Sequence, residues 1–498
     1  MKRITTFVLI LLAALLIAQA AFSLQWPIAH DGAPLLYEAF LMQNGKIPYL
    51  DFYDFQMPGS FIAYYLLGAV SNFGPVRLRI LDLFILAALI VITYFAMRRF
   101  GRLPAVAGGI LFGLKYLQGG PTLALQREYL LLIFISLSLL IGLRDSLTLK
   151  HRLSLGMLFG LSAVIKPHAA LGLVPFLLFD IADIRQRLGL SLPRSAWTSI
   201  FPATIGFLIP VSLIGIWLAL NNALIPFFEI ALNYWPLYSQ INGNMEVTSS
   251  AERMSFLLNQ IWRLGGSAVW LIPAGVGLYL HRNRQIYLLA SLTIVYAVYP
   301  ALSGQFFPYH YIPFIYTIIL TASLALSSDF HPQFKTSHFS LITSSLLLVT
   351  VLAAIRPSQT FIRQIEGKPI ATSTDRAVEI SRYIEKNLEA GDEVQSLDWT
   401  GGTLLAMLET RAPIATSYVF DFYFYHHVSE TYIQSLRADF MNQLQGAEPR
   451  FIIEVVAIDK PWVSGEGTSR EFPALRAFLD ERYSVTMERE DYIIYERR

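Results

Sequence analysis

Residues 26–59 read "WPIAHDGAPLLYEAFLMQNGKIPYLDFYDFQMPG", and gather His30, Asp31, Glu38, Asp51 and Asp54 among aromatic side chains just beyond an apolar run. Ionisable groups so near hydrocarbon are costly unless hydrated or paired, so the cluster is more informative than its members. A carboxylate held there can take the proton from a hydroxyl or amine while that group attacks an electrophilic carbon. Taken singly, Asp31-Gly32 is also an ordinary turn signal. A second stretch, "YLQGGPTLALQREYLLLIF", sets Arg127 and Glu128 where another apolar run begins. Such a pair can anchor a helix end, or can supply a planar cation for phosphate and an acid for a hydroxyl. "VIKPHAAL" adds Lys166 and His168 about Pro167, and "SGQFFPYHYIPF" adds Gln305, Tyr309, His310 and Tyr311. Tyr belts and snorkelling Lys side chains are the ordinary alternative at both places.

These residues need elements to hold them, and the apolar runs supply the frame. Of 498 residues, 54% are apolar and 15% charged, and many separate stretches approach the ~20 residues that cross a bilayer. Spans are expected at 4–24, 78–98, 103–118, 122–143, 152–166, 169–184, 197–220, 268–281, 285–302, 308–327 and 339–356. With the N-terminus inside, Arg98, Arg99, Arg102, Arg144, Lys150, Arg152, Arg185, Arg187, Arg194, Arg282 and Arg284 fall on one side, the positive-inside pattern. The amphipathic segment 58–74 is therefore expected to lie on the membrane surface within an outside loop, 25–77. Eleven crossings then leave the C-terminus outside. Near Arg356 the composition becomes mixed, and helix-like and strand-like stretches ("EVQSLDW", "RFIIEVV", "YSVTMEREDYIIYER") predict a small α/β domain.

The expected fold is thus a polytopic α-helical membrane protein of about eleven spans with juxtamembrane helices (1–356), followed by a C-terminal extracytoplasmic α/β domain (357–498). In this topology the four chemistry-bearing stretches share one face. A net charge of +2 gives no footprint for nucleic acid, and the absence of cysteine removes disulfides and thiolate chemistry. Lys2, Arg3 and Ala18-Gln19-Ala20 also fit a signal peptide, and either reading exports the loop carrying Asp31. "FYFYHHVSE" lacks metal-ligand spacing, and "SGEGTSRE" lacks the third glycine of a dinucleotide fingerprint.

Carboxylates, cations and aromatics on one membrane face are the ingredients for moving a sugar from a lipid phosphate to a hydroxyl or amine. A polyprenyl-linked sugar cannot leave the bilayer, so its catalyst works at the boundary. Trp26, Asp31, Tyr37, the "NGKIPYLDF" turn, Pro58, "FIAYYLLGAVSNFG" and Arg79 resemble the first extracytoplasmic loop of GT-C superfamily membrane glycosyltransferases. The likeness is to the glycosyltransferase family 39 group, which includes protein O-mannosyltransferases and lipid A aminoarabinose transferases. The resemblance implies that Asp31 is the general base and Glu128 a second acid orienting acceptor or metal. It implies that Arg79, Arg127 and Lys166 face the donor phosphate. His30, Tyr37, Asp51, Asp54, Tyr309 and His310 are then donor or acceptor contacts. The sequence departs from the family where Gln126-Arg127-Glu128 replaces a more usual Asp, and where Pro167 and His168 follow Lys166.

The expected partners are a polyprenyl-phosphate sugar donor, membrane lipid, and a glycan, lipid or protein acceptor, in the bacterial plasma (inner) membrane. A divalent metal, Mg or Mn, stays open because no ligand spacing identifies it. The rival reading is a multi-span transporter or flippase, which would call for broken helices in two related halves, and no such symmetry is visible. A non-catalytic binding protein would leave Asp31 dispensable.

Overall fold

The computed structural model describes residues 2–29, 31–248, 250–327, 339–368, 373–458 and 460–498. The chain divides into two compact units, each drawn from three segments. The first comprises Met1–Trp26, Arg79–Ile214 and Met254–Ile370; the second comprises Pro27–Leu78, Gly215–Arg253 and Ala371–Arg498.

In the first unit the apolar runs are helices, because a chain in hydrocarbon must satisfy its backbone polar groups internally. Among the described residues six helical stretches are long and apolar enough to cross a membrane: Arg3–Gln25, Pro75–Phe100, Pro167–Leu188, Leu192–Leu220, Arg284–Ser303 and Pro308–Leu326. A bent pair, Glu252–Gly266 and Ala268–Leu280, meets at 67° and raises the number to seven if it is one span. This is a multi-span membrane protein. Eleven spans do not follow from length and composition among the described residues. The expected spans at 103–118, 122–143 and 152–166 are helices Arg102–Leu117, Arg127–Gly142 and Leu149–Ile165, of 16, 16 and 17 residues. Those lengths fall short of the ~20 that a perpendicular crossing needs. The expected span 339–356 lies in the helix Phe339–Ile365.

Two of these helices touch backbone to backbone. A Cβ on Gly156 would collide with the carbonyl of Ala203, and one on Gly160 with the carbonyl of Phe207. Reciprocally, a Cβ on Gly206 would strike the carbonyl of Leu153. The small-xxx-small spacing of Gly156 and Gly160 is what lets Leu149–Ile165 lie against Leu192–Leu220 so closely.

The second unit contains a four-stranded sheet, β1 (Val394–Leu397), β2 (Phe451–Val455), β3 (Tyr483–Glu488) and β4 (Tyr492–Arg497), in the order β1-β2-β4-β3. β1 and β2 are parallel; β4 runs antiparallel to both its neighbours. β1 and β2 are buried along their whole length, as expected of strands covered on both faces. The strand-like stretches noted above supply all four strands.

Residues 27–78 pack with 371–498 inside this unit. Helix Gly32–Gln43 lies against Pro58–Ser71 and Gly402–Thr410. Tyr53 N–H donates to the Ser417 carbonyl at 2.8 Å, and the Tyr37 hydroxyl to the Ala412 carbonyl at 2.7 Å. The composition change near 356 marks only the last of the three segments; the unit also includes the loop 27–78 and a helix, Leu224–Tyr238, that the sequence reading left unassigned. The segment expected on the membrane surface is a 14-residue helix, Pro58–Ser71, entered through Pro58 at its first turn and closed by Asn72 in the left-handed region.

Candidate functional site

In the first unit Glu128 opens the helix Arg127–Gly142, where the N-terminal end of the helix dipole favours an acid. Its carboxylate is fully buried. Lys166 follows the last turn of Leu149–Ile165, in extended backbone before Pro167, and brings Nζ to 3.3 Å from Glu128 Oε1. His310, in the turn Pro308–Tyr311, places Nε2 at 3.7 Å from the same oxygen, and its Nδ1 shares a hydrogen bond of 3.3 Å with the Ser303 hydroxyl. Tyr299 stands beside the carboxylate, and the ring of Tyr309 packs edge-on against His310 at 4.7 Å. Arg127, next in the chain, is buried too. Three separate stretches of sequence therefore bring their charged groups to one point, with an acid at the centre and cations around it.

Arg79 belongs to a different network. Its guanidinium pairs with Asp82, donates to Ser23 Oγ at 2.8 and 3.0 Å, and lies over the Trp26 ring at 4.3 Å. Tyr116 donates to Asp82 Oδ1 at 2.6 Å and accepts from Leu125 N–H at 3.0 Å, and the rings of Tyr116 and Tyr129 stack at 3.9 Å. This chain of contacts fixes the turn that leads into Arg127 and Glu128. The sequence reading missed Asp82, Tyr116 and Tyr129. A signal existed: Asp82 is an acid inside an apolar run, a position that is expensive unless it does something.

In the second unit Asp31 stands immediately before the helix Gly32–Gln43, partly exposed, and its side chain does not cap that helix. His30 lies outside the described residues. Tyr37 is fully buried and serves as an anchor through Ala412. Asp54 is also buried, accepting from the backbone N–H groups of Phe55 and Gln56 at 2.5 and 3.2 Å. Asp51 is exposed, accepts from Ile47 N–H at 2.6 Å, and lines a cavity of about 450 Å³ with Lys46 and Glu393.

The same unit buries further titratable groups: Asp421 and Lys460, which the sequence did not suggest, and His426 of the "FYFYHHVSE" stretch. Lys460 donates to Asp421 at 2.9 Å and to the carbonyls of Leu397 and Val455, both at 3.1 Å. Burial pushes the Asp421 carboxyl up to about 6, against the pull of Lys460. His426 shares a hydrogen bond of 3.1 Å with the Tyr234 hydroxyl, and burial, with His427 alongside, lowers it to about 3. Among the described residues no group of three or more His, Asp or Glu is placed to hold a metal ion.

No protein-family model and no curated protein sequence matches the chain. Solved structures do, among them two of ArnT from Cupriavidus metallidurans, one bound to undecaprenyl phosphate and one in the apo state. Each superposes with a TM-score of 0.63 at 13% identity and covers 98% of this chain; the match spans 97% and 98% of the respective ArnT chains. The fold of the chain is thus similar to that of ArnT over almost its whole length, in accord with the GT-C resemblance read from the sequence.

Proposed function

We propose that this protein is a membrane glycosyltransferase that moves a sugar from a polyprenyl-phosphate donor to a hydroxyl or amine of a glycan, lipid or protein. The observation that carries the reading is the buried Glu128 carboxylate, ringed by Lys166, His310 and Arg127, in a chain with the fold of a protein crystallised with undecaprenyl phosphate. The arginine pattern supports an orientation with the reaction on the extracytoplasmic side, in the proposed setting of a bacterial inner membrane.

In this reading the acceptor oxygen or nitrogen attacks the anomeric carbon as the carbon–oxygen bond to phosphate breaks. Asp31 takes the acceptor's proton, and the bonding pair leaves on the phosphate oxygen of the polyprenyl carrier. Lys166, Arg127 and His310 offset the charge gathering there, and Glu128 holds Lys166 and His310 in place. Arg79, engaged by Asp82 and Ser23, positions the turn before Arg127. Asp51 and Tyr309 remain the contacts offered to donor or acceptor, whereas Tyr37 and Asp54 hold the loop's shape. Among the described residues no three acids or histidines gather to hold Mg or Mn, and a divalent metal stays open.

The test is Asp31→Asn in the full-length protein, supplied with a polyprenyl-phosphate sugar. An amide cannot accept the proton, so transfer should fall by about 10²–10⁴-fold while membrane insertion and unfolding temperature stay unchanged. Turnover near the unaltered level would reject Asp31 as the base.

A further inference from the structure

The helix that begins at Glu128 ends beside a basic cavity. Leu140, Leu143 and Arg144 lie in and just beyond the last turn of Arg127–Gly142, a helix length of about 24 Å from the acid. Across the cavity Arg98 and Arg99 follow the helix Pro75–Met97, and Arg102 starts the next helix after Gly101. Together these residues enclose about 510 Å³, with Tyr94 and Phe95 on the apolar rim.

Four guanidinium groups line this space, and no carboxylate among the described residues does. The acid beside it, Asp145, pairs with Arg99 at 2.6 Å and is 85% exposed, so water weakens its hold. Arg98 packs over the Phe95 ring at 5.2 Å. Planar guanidinium forks match phosphate oxygens, and the four arginines that line this one concavity, all of them exposed, put several such forks within reach of one headgroup. The approach is apolar. On the helix that delivers Arg98, Val91 and Phe95 are 53% and 45% exposed, a surface suited to acyl chains, and Leu140 and Leu143 add apolar lining.

We propose that this cavity binds the phosphate headgroup of an anionic bilayer phospholipid, separately from the donor lipid. Basic pockets between helix ends on the positive side of a membrane protein attract such headgroups, by about 5-fold in affinity for each arginine near the surface. The inference uses only residues outside the proposed catalytic machinery and stands whether or not the transferase reading does.

The experiment uses the full-length protein in phosphatidylcholine nanodiscs titrated with phosphatidylglycerol, with bound lipid counted by native mass spectrometry. Arg102→Gln/Arg144→Gln should weaken retention roughly 25-fold, and 0.5 M salt should weaken it in the unaltered protein. Arg102→Lys/Arg144→Lys keeps the charge count that orients the chain but loses the forks; it should retain the lipid severalfold less well. Equal retention by the unaltered protein and both variants would overturn the site. Displacement of the lipid by millimolar inorganic phosphate would reassign it to a soluble anion, and displacement by stoichiometric polyprenyl phosphate would reassign it to the donor; either overturns the proposal.

Discussion

Lys166 and Glu128 should respond unequally to removal, because the lysine side chain is 18% exposed while the carboxylate has no contact with solvent. Lys166→Ala leaves the buried carboxylate with only His310 and Arg127 to offset it, a loss bounded by the about 3–5 kcal/mol of a fully broken buried pair. Glu128→Gln leaves Lys166 a path to water and should cost less; thermal unfolding in one detergent, compared across the two variants, measures the difference. A second residue-scale prediction concerns acidity. His426 titrates near 3 in the folded protein against about 6.5 unfolded, so the unfolded chain binds the extra proton between those values. Stability from this group is full above pH 6.5 and is lost as the pH falls toward 3, by about 2 kcal/mol at pH 5. Asp421, raised to about 6, works the opposite way, being most favourable when protonated and losing that advantage as pH rises through 6. The His426→Gln variant isolates the first effect: the unaltered protein should lose more stability than the variant between pH 8 and pH 5. Arg127, Glu128, Lys166 and His310 were legible in the sequence because each charged group borders an apolar run. The tie between His426 and Tyr234 was not, since 192 residues separate the partners and nothing local marks either one.

At the scale of elements, the glycines of two packed helices offer a paired test. Gly156→Ala and Gly215→Ala are the same chemical change, and in an isolated helix each would gain about 1 kcal/mol. Gly215 faces open space, so its variant should be neutral or more stable. Gly156 abuts the Ala203 carbonyl, so its variant should force Leu149–Ile165 away from Leu192–Leu220 and lose roughly 1–3 kcal/mol. Reversal of that order in detergent melting curves would mean that the two helices do not touch in the membrane. Apolar length located most of the helices, since hydrocarbon leaves the backbone no other choice. It did not reveal Leu224–Tyr238, whose prolines at 226 and 236 read as breaks, or Ser250–Arg263, whose polar face hides a helix from a count of apolar residues. The bend after Arg263, with Gly265 in the left-handed region, likewise has only "LGG" to announce it.

For the whole molecule, the eleven crossings read from the sequence predict that a reporter fused after Arg498 is active outside the cytoplasm; activity inside would mean an even number of crossings, such as the six long apolar helices alone would give, or the opposite sidedness. Local composition could not show that the second unit is stitched from distant segments, because pairings such as Tyr37 with Ala412 have no signature in either neighbourhood. That stitching governs how the chain comes into being. Tyr37 meets a partner 375 positions downstream, and a ribosome adding ~5–20 residues per second reaches it roughly 20–75 s later. Over that interval Tyr37 and Tyr53 lack their late partners Ala412, Ser417 and Tyr418, and the newborn segment offers that incomplete surface to chaperones or proteases until the last stretch of translation closes over it.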